Sequence, residues 1–147
     1  MIGLHLVLIF FSYAAFAVAV ATGVSFLLKE RWLKRKDPRV LRSGTIPLEL
    51  LDEVNRWAVV VGFAFFSALL IQGHLLARRS WQAFRIGDST EIWSGITWAA
   101  YALVLALRIR MGLRGRRVVF MSVMSFGVAV TTLVGVSRLV GGRHLFF

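Results

Sequence analysis

Four long apolar runs, at roughly 2–28, 57–77, 93–107 and 118–140, constrain this chain more than any other feature. A helix that crosses the hydrocarbon core of a bilayer needs about 20 predominantly apolar residues, within a range of about 17–25. Three of the runs approach or reach that length unaided. The third reaches it as a helix over 91–110, with Glu91 and Arg110 at the interfaces. The 147 residues predict one domain. A hydrophobic content of 58% and a mean hydropathy of +0.74 exceed those of a soluble domain. The reading is an all-α integral membrane protein, a single four-helix transmembrane domain over 1–147 with spans at about 2–28, 57–77, 91–110 and 118–140.

The net charge of +11 invites a nucleic-acid partner until the basic residues are located. Lys29, Arg31, Lys34, Arg35, Lys36, Arg39, Arg42 and Arg56 fall between spans one and two. Arg108, Arg110, Arg114, Arg116 and Arg117 fall between spans three and four. These thirteen of the eighteen Lys and Arg occupy two loops that must share a side, the pattern of the positive-inside rule. Both termini and the 78–92 loop are therefore expected on the non-cytoplasmic side of a bacterial-type cytoplasmic membrane. Attraction of anionic lipid to the inner surface follows, and no nucleic acid is needed. The first span is expected to be a retained helix and not a signal peptide. Its opening MIGLH has no Lys or Arg, and the basic run KERWLKRK comes after the apolar core. Without cysteine the chain has no disulfide and no thiol chemistry of its own.

Small residues recur at four-residue spacing in span one (Ala15, Ala19, Gly23) and span four (Gly127, Thr131, Gly135). Such stripes let helix backbones approach in lipid, where packing drives association. Small residues are also simply common in membrane helices. At about 100° per residue His5 shares a face with Ser12, Ala19 and Gly23, so pairing of spans one and four would bring His5 towards the C-terminal segment. The inner loop turns at Asp37-Pro38. Pro47 followed by LELLDEVNRW then predicts a short amphipathic interfacial helix with its acids early. RIRMGLRGRR, with Gly112 and Gly115, predicts a tight turn that anchors topology.

The outer loop WQAFRIGDSTEIW carries Trp81, Phe84 and Trp93 where a solvent loop would be polar. These aromatics form either an interfacial belt or a platform for a flat, largely apolar ligand. Arg78, Arg79 and Arg143 are cations suited to carboxylates such as haem propionates. His5 and His144 place one imidazole near each chain end at similar depth. Each alone is an interfacial histidine, whereas the pair suits two-imidazole ligation of one haem iron. His74 lies about a turn inside the outer boundary, and an ionisable residue within a span is a functional candidate.

Almost the whole chain resembles the C-terminal half of the cytochrome c assembly protein family, the CcsA-type and HemX-type haem-handling membrane proteins. The resemblance rests on GLHLVLIFFSYAAFAVAVATGVSFLLKERWLK, on LDEVNRWAVVVGFAFFSALLIQG, on the tryptophan-rich outer segment and on the closing GVSRLVGGRHLFF. It implies haem ligation at the outer side by His5 and His144, the histidines before and after the tryptophan-rich motif. Of that motif, W-G-x-Y-W-x-W-D-P-x-E-T-W, Trp81, Asp88, Glu91 and Trp93 match, and Phe84 replaces the tyrosine. Arg85 and Gly87 stand in place of the two inner tryptophans, Gln82 of the glycine, Ser89 of the proline and Ile92 of the threonine. The family's N-terminal helices have no counterpart here, and His74 has no assigned equivalent.

The resemblance implies that haem is held between two histidines at the outer face and presented to an apocytochrome c. A larger membrane partner would supply the missing helices, and action alone as a haem lyase or synthase is not expected. Two alternatives stay open: a HemX-like accessory or regulator of haem metabolism, and a structural membrane-complex subunit whose haem site has decayed. The topology is tested with single cysteines at Ser80 and Ser43 in this cysteine-free chain. An impermeant maleimide added to intact cells should label Ser80→Cys and spare Ser43→Cys, and the reverse pattern would overturn the orientation.

Overall fold

The structure, a computed structural model, describes residues 2–36, 38, 46–79 and 89–140, the side chains of 2, 76–79, 89–91, 132, 133 and 135–140 excepted. Four helices follow one another: α1 (Ile2–Lys34), α2 (Leu48–Arg79), α3 (Ser89–Arg110) and α4 (Arg116–Val140). Among the described residues three stretches are long and apolar enough to cross a membrane, Gly3–Lys34, Leu48–Leu75 and Ile92–Arg110. The fourth expected span falls on α4, which is not among these three. The apolar surface is turned outward: Leu4, Phe10, Trp57, Ile71, Leu103 and Phe120 are among many large apolar side chains left exposed. A water-soluble bundle does not spread so much apolar surface over its exterior. Lipid accepts it.

The amphipathic segment expected after Pro47 is not a separate interfacial helix. Residues 48–56 run without a break into span two, forming one helix of 32 residues. Pro47 opens it, with the Leu51 amide donating to the Pro47 carbonyl at 3.3 Å and Glu49 in the first turn. Neither glycine nor proline lies between Leu48 and Trp57 to interrupt the ladder. At about 1.5 Å per residue, α2 is long enough to project well beyond a hydrocarbon core of about 30 Å. Helix α1 ends at a left-handed residue, Lys36 (φ 52°), whose amide donates to the Leu33 carbonyl at 3.1 Å. The tight turn between α3 and α4 uses Gly112 and Gly115, both at positive φ (59° and 83°), as their placement predicts.

The helices form an antiparallel ring. Helix α1 lies against α2 along its length and against α4. Helix α3 packs on α4 and more sparsely on α2. Contacts fix the directions: Phe11 stacks on Phe65, Phe16 meets Phe66, and Lys29 donates to the Ile46 carbonyl. Trp98 of α3 tilts over Phe63 and donates its Nε1–H to Ser67 Oγ at 3.0 Å. Both basic segments consequently share one end of the bundle, where Arg116 comes within 3.9 Å of Glu30. His5, Gly73 and the start of α3 lie at the other. These are the basic end and the histidine end.

Across the ring, Phe16 of α1 and Tyr101 of α3 stack with centroids 4.0 Å apart and planes at 3°. Both are fully buried. Gly62 of α2 admits this pair, since a Cβ there would stand 2.5 Å from the Phe16 ring and 3.3 Å from Ala15 Cβ. Gly23 does the same between α1 and α4, where a Cβ would meet Val123 Cγ2 at 2.8 Å. The α1 stripe is thus real packing surface, with Ala19 and Gly23 buried. The α4 stripe is not its partner. Gly127 is exposed with nothing near its missing Cβ, and exposed Thr131 donates to its own helix at the Gly127 carbonyl. Helix α4 instead offers Val118, Val119, Ser122 and Ser125 to the interior. Periodicity located the packing stripe of α1 but not the face of α4 that it packs against.

Gly62→Ala and Ala19→Leu should each destabilise the detergent-solubilised bundle by about 1–3 kcal/mol through overpacking. Gly127→Ala and Thr131→Leu should leave it nearly unchanged. Denaturant unfolding followed by helical circular dichroism measures all four. Equal losses in the two pairs would contradict the packing described.

Candidate functional site

At the histidine end, one turn into α1, His5 sits half-buried on the face it shares with Ser12, Phe16, Ala19 and Gly23. That face is the buried face of α1. The imidazole lies beside Gly73 of α2, its Cε1 4.0 Å from where a Cβ would stand, an ordinary van der Waals separation. The Nδ1 of His5 is buried and has no hydrogen-bond partner among the described residues. A buried polar nitrogen normally finds a partner, so this imidazole is suited to a ligand. Helix α4 runs antiparallel to α1, so its C-terminal turn heads for this end. His144, Trp81, Phe84, Asp88 and Arg143 lie outside the described residues, as do the side chains of Arg78 and Arg79. Trp93 is exposed near the start of α3 at the same end, and His74 is exposed next to Gly73. Of the expected haem site, His5 and Trp93 are therefore placed at one end of the bundle. Among the described residues no group of three or more His, Cys, Asp or Glu is arranged to hold a metal ion. A two-imidazole site requires no such group.

The basic end holds a buried polar cluster that the sequence reading missed. Asn55 of α2 is fully buried and donates from Nδ2 to the Ala19 carbonyl of α1 at 2.6 Å and to Ser122 Oγ of α4 at 3.1 Å. Its Oδ1 accepts from Arg108 Nη2 of α3 at 2.6 Å. Arg108 Nη1 lies 3.2 Å from Asp52 Oδ1, in an ion pair whose arginine side chain is 3% exposed. One asparagine thereby reaches all four helices. In the sequence Arg108 counts as one more topology-setting cation, and LELLDEVNRW as an interfacial helix. The available signal was the i,i+3 spacing of Asp52 and Asn55 on a helix, together with a cation on the core side of span three. Only the bundle shows that these groups face one another.

An antiparallel ring of four helices with lipid-facing apolar sides, a charged cluster inside one end and an imidazole in the other defines a polytopic helical membrane protein. The model of the family described as "Cytochrome C assembly protein" matches residues 1–144, and the chain belongs to that family. It is similar to the cytochrome c biogenesis protein CcsA of Prochlorococcus marinus (strain MIT 9312), 26% identical over 97% of this chain and 52% of the relative. The corresponding protein of Parasynechococcus marenigrum (strain WH8102) is 27% identical over 97% of this chain and 54% of its own length. That of Heterosigma akashiwo is 30% identical over 73% and 34%. The chain thus spans about half the length of these first two curated relatives. No solved structure matches it.

Asn55→Leu strands the Arg108 guanidinium and Ser122, and should cost about 1–3 kcal/mol for each polar group left unsatisfied. Lys34→Ala, which removes an exposed i,i+4 pair with Glu30, should cost no more than about 0.5 kcal/mol. Unfolding midpoints in detergent separate the two, and equal shifts would show that the cluster contributes no more than a surface pair.

Proposed function

We propose that this chain handles haem as cargo in cytochrome c biogenesis, holding it at the histidine end of the bundle between His5 and His144. The observation that carries the reading is the half-buried His5 imidazole, whose Nδ1 has no hydrogen-bond partner among the described residues. It stands in a family whose curated relatives bear the name cytochrome c biogenesis protein. In this reading His5 and His144 would hold the haem iron, with His74 as the substitute for either of them. Trp81, Phe84 and Trp93 pack against the ring, and Arg78, Arg79 and Arg143 pair with its propionates. Asp88 belongs to the matched part of the outer motif just before α3. Haem supplies vinyl groups for attachment to thiols of an acceptor. The residues of this chain contribute positioning and axial ligation.

The proposal includes the orientation. By the positive-inside rule the basic end faces the cytoplasm, anionic lipid gathers there, and all four helices cross the membrane with both termini outside. It also includes apocytochrome c as the acceptor and a larger membrane partner that provides helices equivalent to the other half of the relatives. Arg85 and Gly87, where large aromatics would extend the platform, imply weaker haem retention than a complete motif would give.

Titration of the detergent-purified protein with haem tests the site. Two imidazole ligands should give a low-spin spectrum with a Soret band. His5→Ala or His144→Ala should convert it to a high-spin form or abolish it, while His74→Ala leaves it intact. Absence of any Soret band at saturating haem would exclude the haem site and favour a structural subunit.

A further inference from the structure

Helices α2 and α3 are the sparsest neighbours in the ring, and towards the basic end they part to form a groove of about 1470 Å³. Phe26 of α1 belongs to its wall, and Val60 and Leu105 line its sides. Its mouth is formed by the first turns of α2 and by the α3–α4 turn, and carries Glu49, Glu53, Arg56 and Arg114. The groove is therefore graded from apolar residues along the helices to mixed charge at its mouth. Arg108, only 7% exposed, also lines it. Its Nε has no hydrogen-bond partner among the described residues, although Asp52 and Asn55 occupy the other guanidinium nitrogens. The amides of Leu48, Glu49 and Leu50 open α2 on the same rim, in the first turn where helical amides lack intrahelical acceptors. Trp57, exposed and donating Nε1–H to Glu53, sits beside them in the manner of an interfacial tryptophan.

We propose that this groove is a binding site for one phospholipid with a zwitterionic, primary-amine headgroup, drawn from the leaflet at the basic end. Charge complementarity selects the occupant. A phosphate fits Arg114, the Arg108 edge and the α2 amides, while an ammonium fits Glu49 and the Oε2 of Glu53, whose Oε1 already accepts from Arg56 and Trp57. The lining offers three arginines and three carboxylates, so it does not favour a purely anionic headgroup, even though the surrounding end is strongly basic. One acyl chain lies along Val60 and Leu105, filling the parted α2–α3 seam. The site is at the opposite end from His5 and does not depend on the haem reading.

Native mass spectrometry of the full chain in detergent, with added phosphatidylethanolamine, phosphatidylcholine or phosphatidylglycerol, provides the test. One phosphatidylethanolamine should be retained about fivefold more tightly than either competitor, the factor that roughly 1 kcal/mol of headgroup contacts gives. Glu49→Gln with Glu53→Gln should lower its retention to that of phosphatidylcholine, whose quaternary amine donates no hydrogen bond. Arg114→Ala, on the exposed turn, should weaken every phospholipid. Val60→Phe should fill the groove and reduce retention while helical circular dichroism remains that of the parent. Tightest retention of phosphatidylglycerol would overturn the headgroup assignment. Equal retention of all three lipids, unaffected by Arg114→Ala and Val60→Phe, would show nonspecific annular lipid and overturn the site itself.

Discussion

The bundle depends on a polar contact at its basic end more than on any apolar one. In a lipid-filling exterior, burying hydrocarbon separates folded from unfolded helices only weakly, because lipid tails are as apolar as leucine. What distinguishes one helix arrangement from another is shape and the satisfaction of polar groups. Asn55 does the second for four helices at once, donating to α1 and α4 and accepting from Arg108 of α3. Asp52, one turn away on α2, supplies the opposite charge to the same guanidinium. Removing Asp52 would leave the buried cation without an opposite charge, a far larger loss than that of an exposed ion pair. This cluster also explains why α2 begins so early: the helix must reach back through 48–56 to bring Asp52 and Asn55 under α3.

Shape does the rest. Gly62 and Gly23 are the two points at which α1 comes too close to its neighbours for a side chain. Between these points Phe16 reaches across the ring to Tyr101. The resulting core is narrow and continuous from the polar cluster towards the histidine end, with Ala19, Val59, Phe66 and Val104 around it. That continuity fixes the rotation of α1. It is the reason His5, on the same helical face as Phe16 and Ala19, is turned against α2 and partly withdrawn from the exterior.

The two ends consequently have different tasks. The basic end is densely bonded and holds the helices in register, yet its α2–α3 seam remains open. The histidine end carries the imidazole, with a nitrogen unpartnered among the described residues, and the exposed Trp93. Membership of the cytochrome c assembly family gives that end its reading. The separation of the structural cluster from the histidine end allows one to be altered without unfolding the other.

Helix number, the membrane character and the common end of the two basic segments were legible in the sequence, because each follows from local quantities: run length, hydropathy and the position of charge. The face of α1 that is buried was legible too, since a stripe of small residues and His5 obey a single period. Helix–helix contacts were not. Gly127 and Thr131 match the spacing of Ala19 and Gly23, yet α4 turns them outward and packs through Val119 and Val123. Asp52, Asn55 and Arg108 are ordinary loop-flanking polar residues until antiparallel packing brings them together from positions more than fifty residues apart in the chain. Periodicity specifies a face but not its partner. That choice belongs to the tertiary structure, where steric room at a glycine and the satisfaction of a buried donor are decided jointly by several helices.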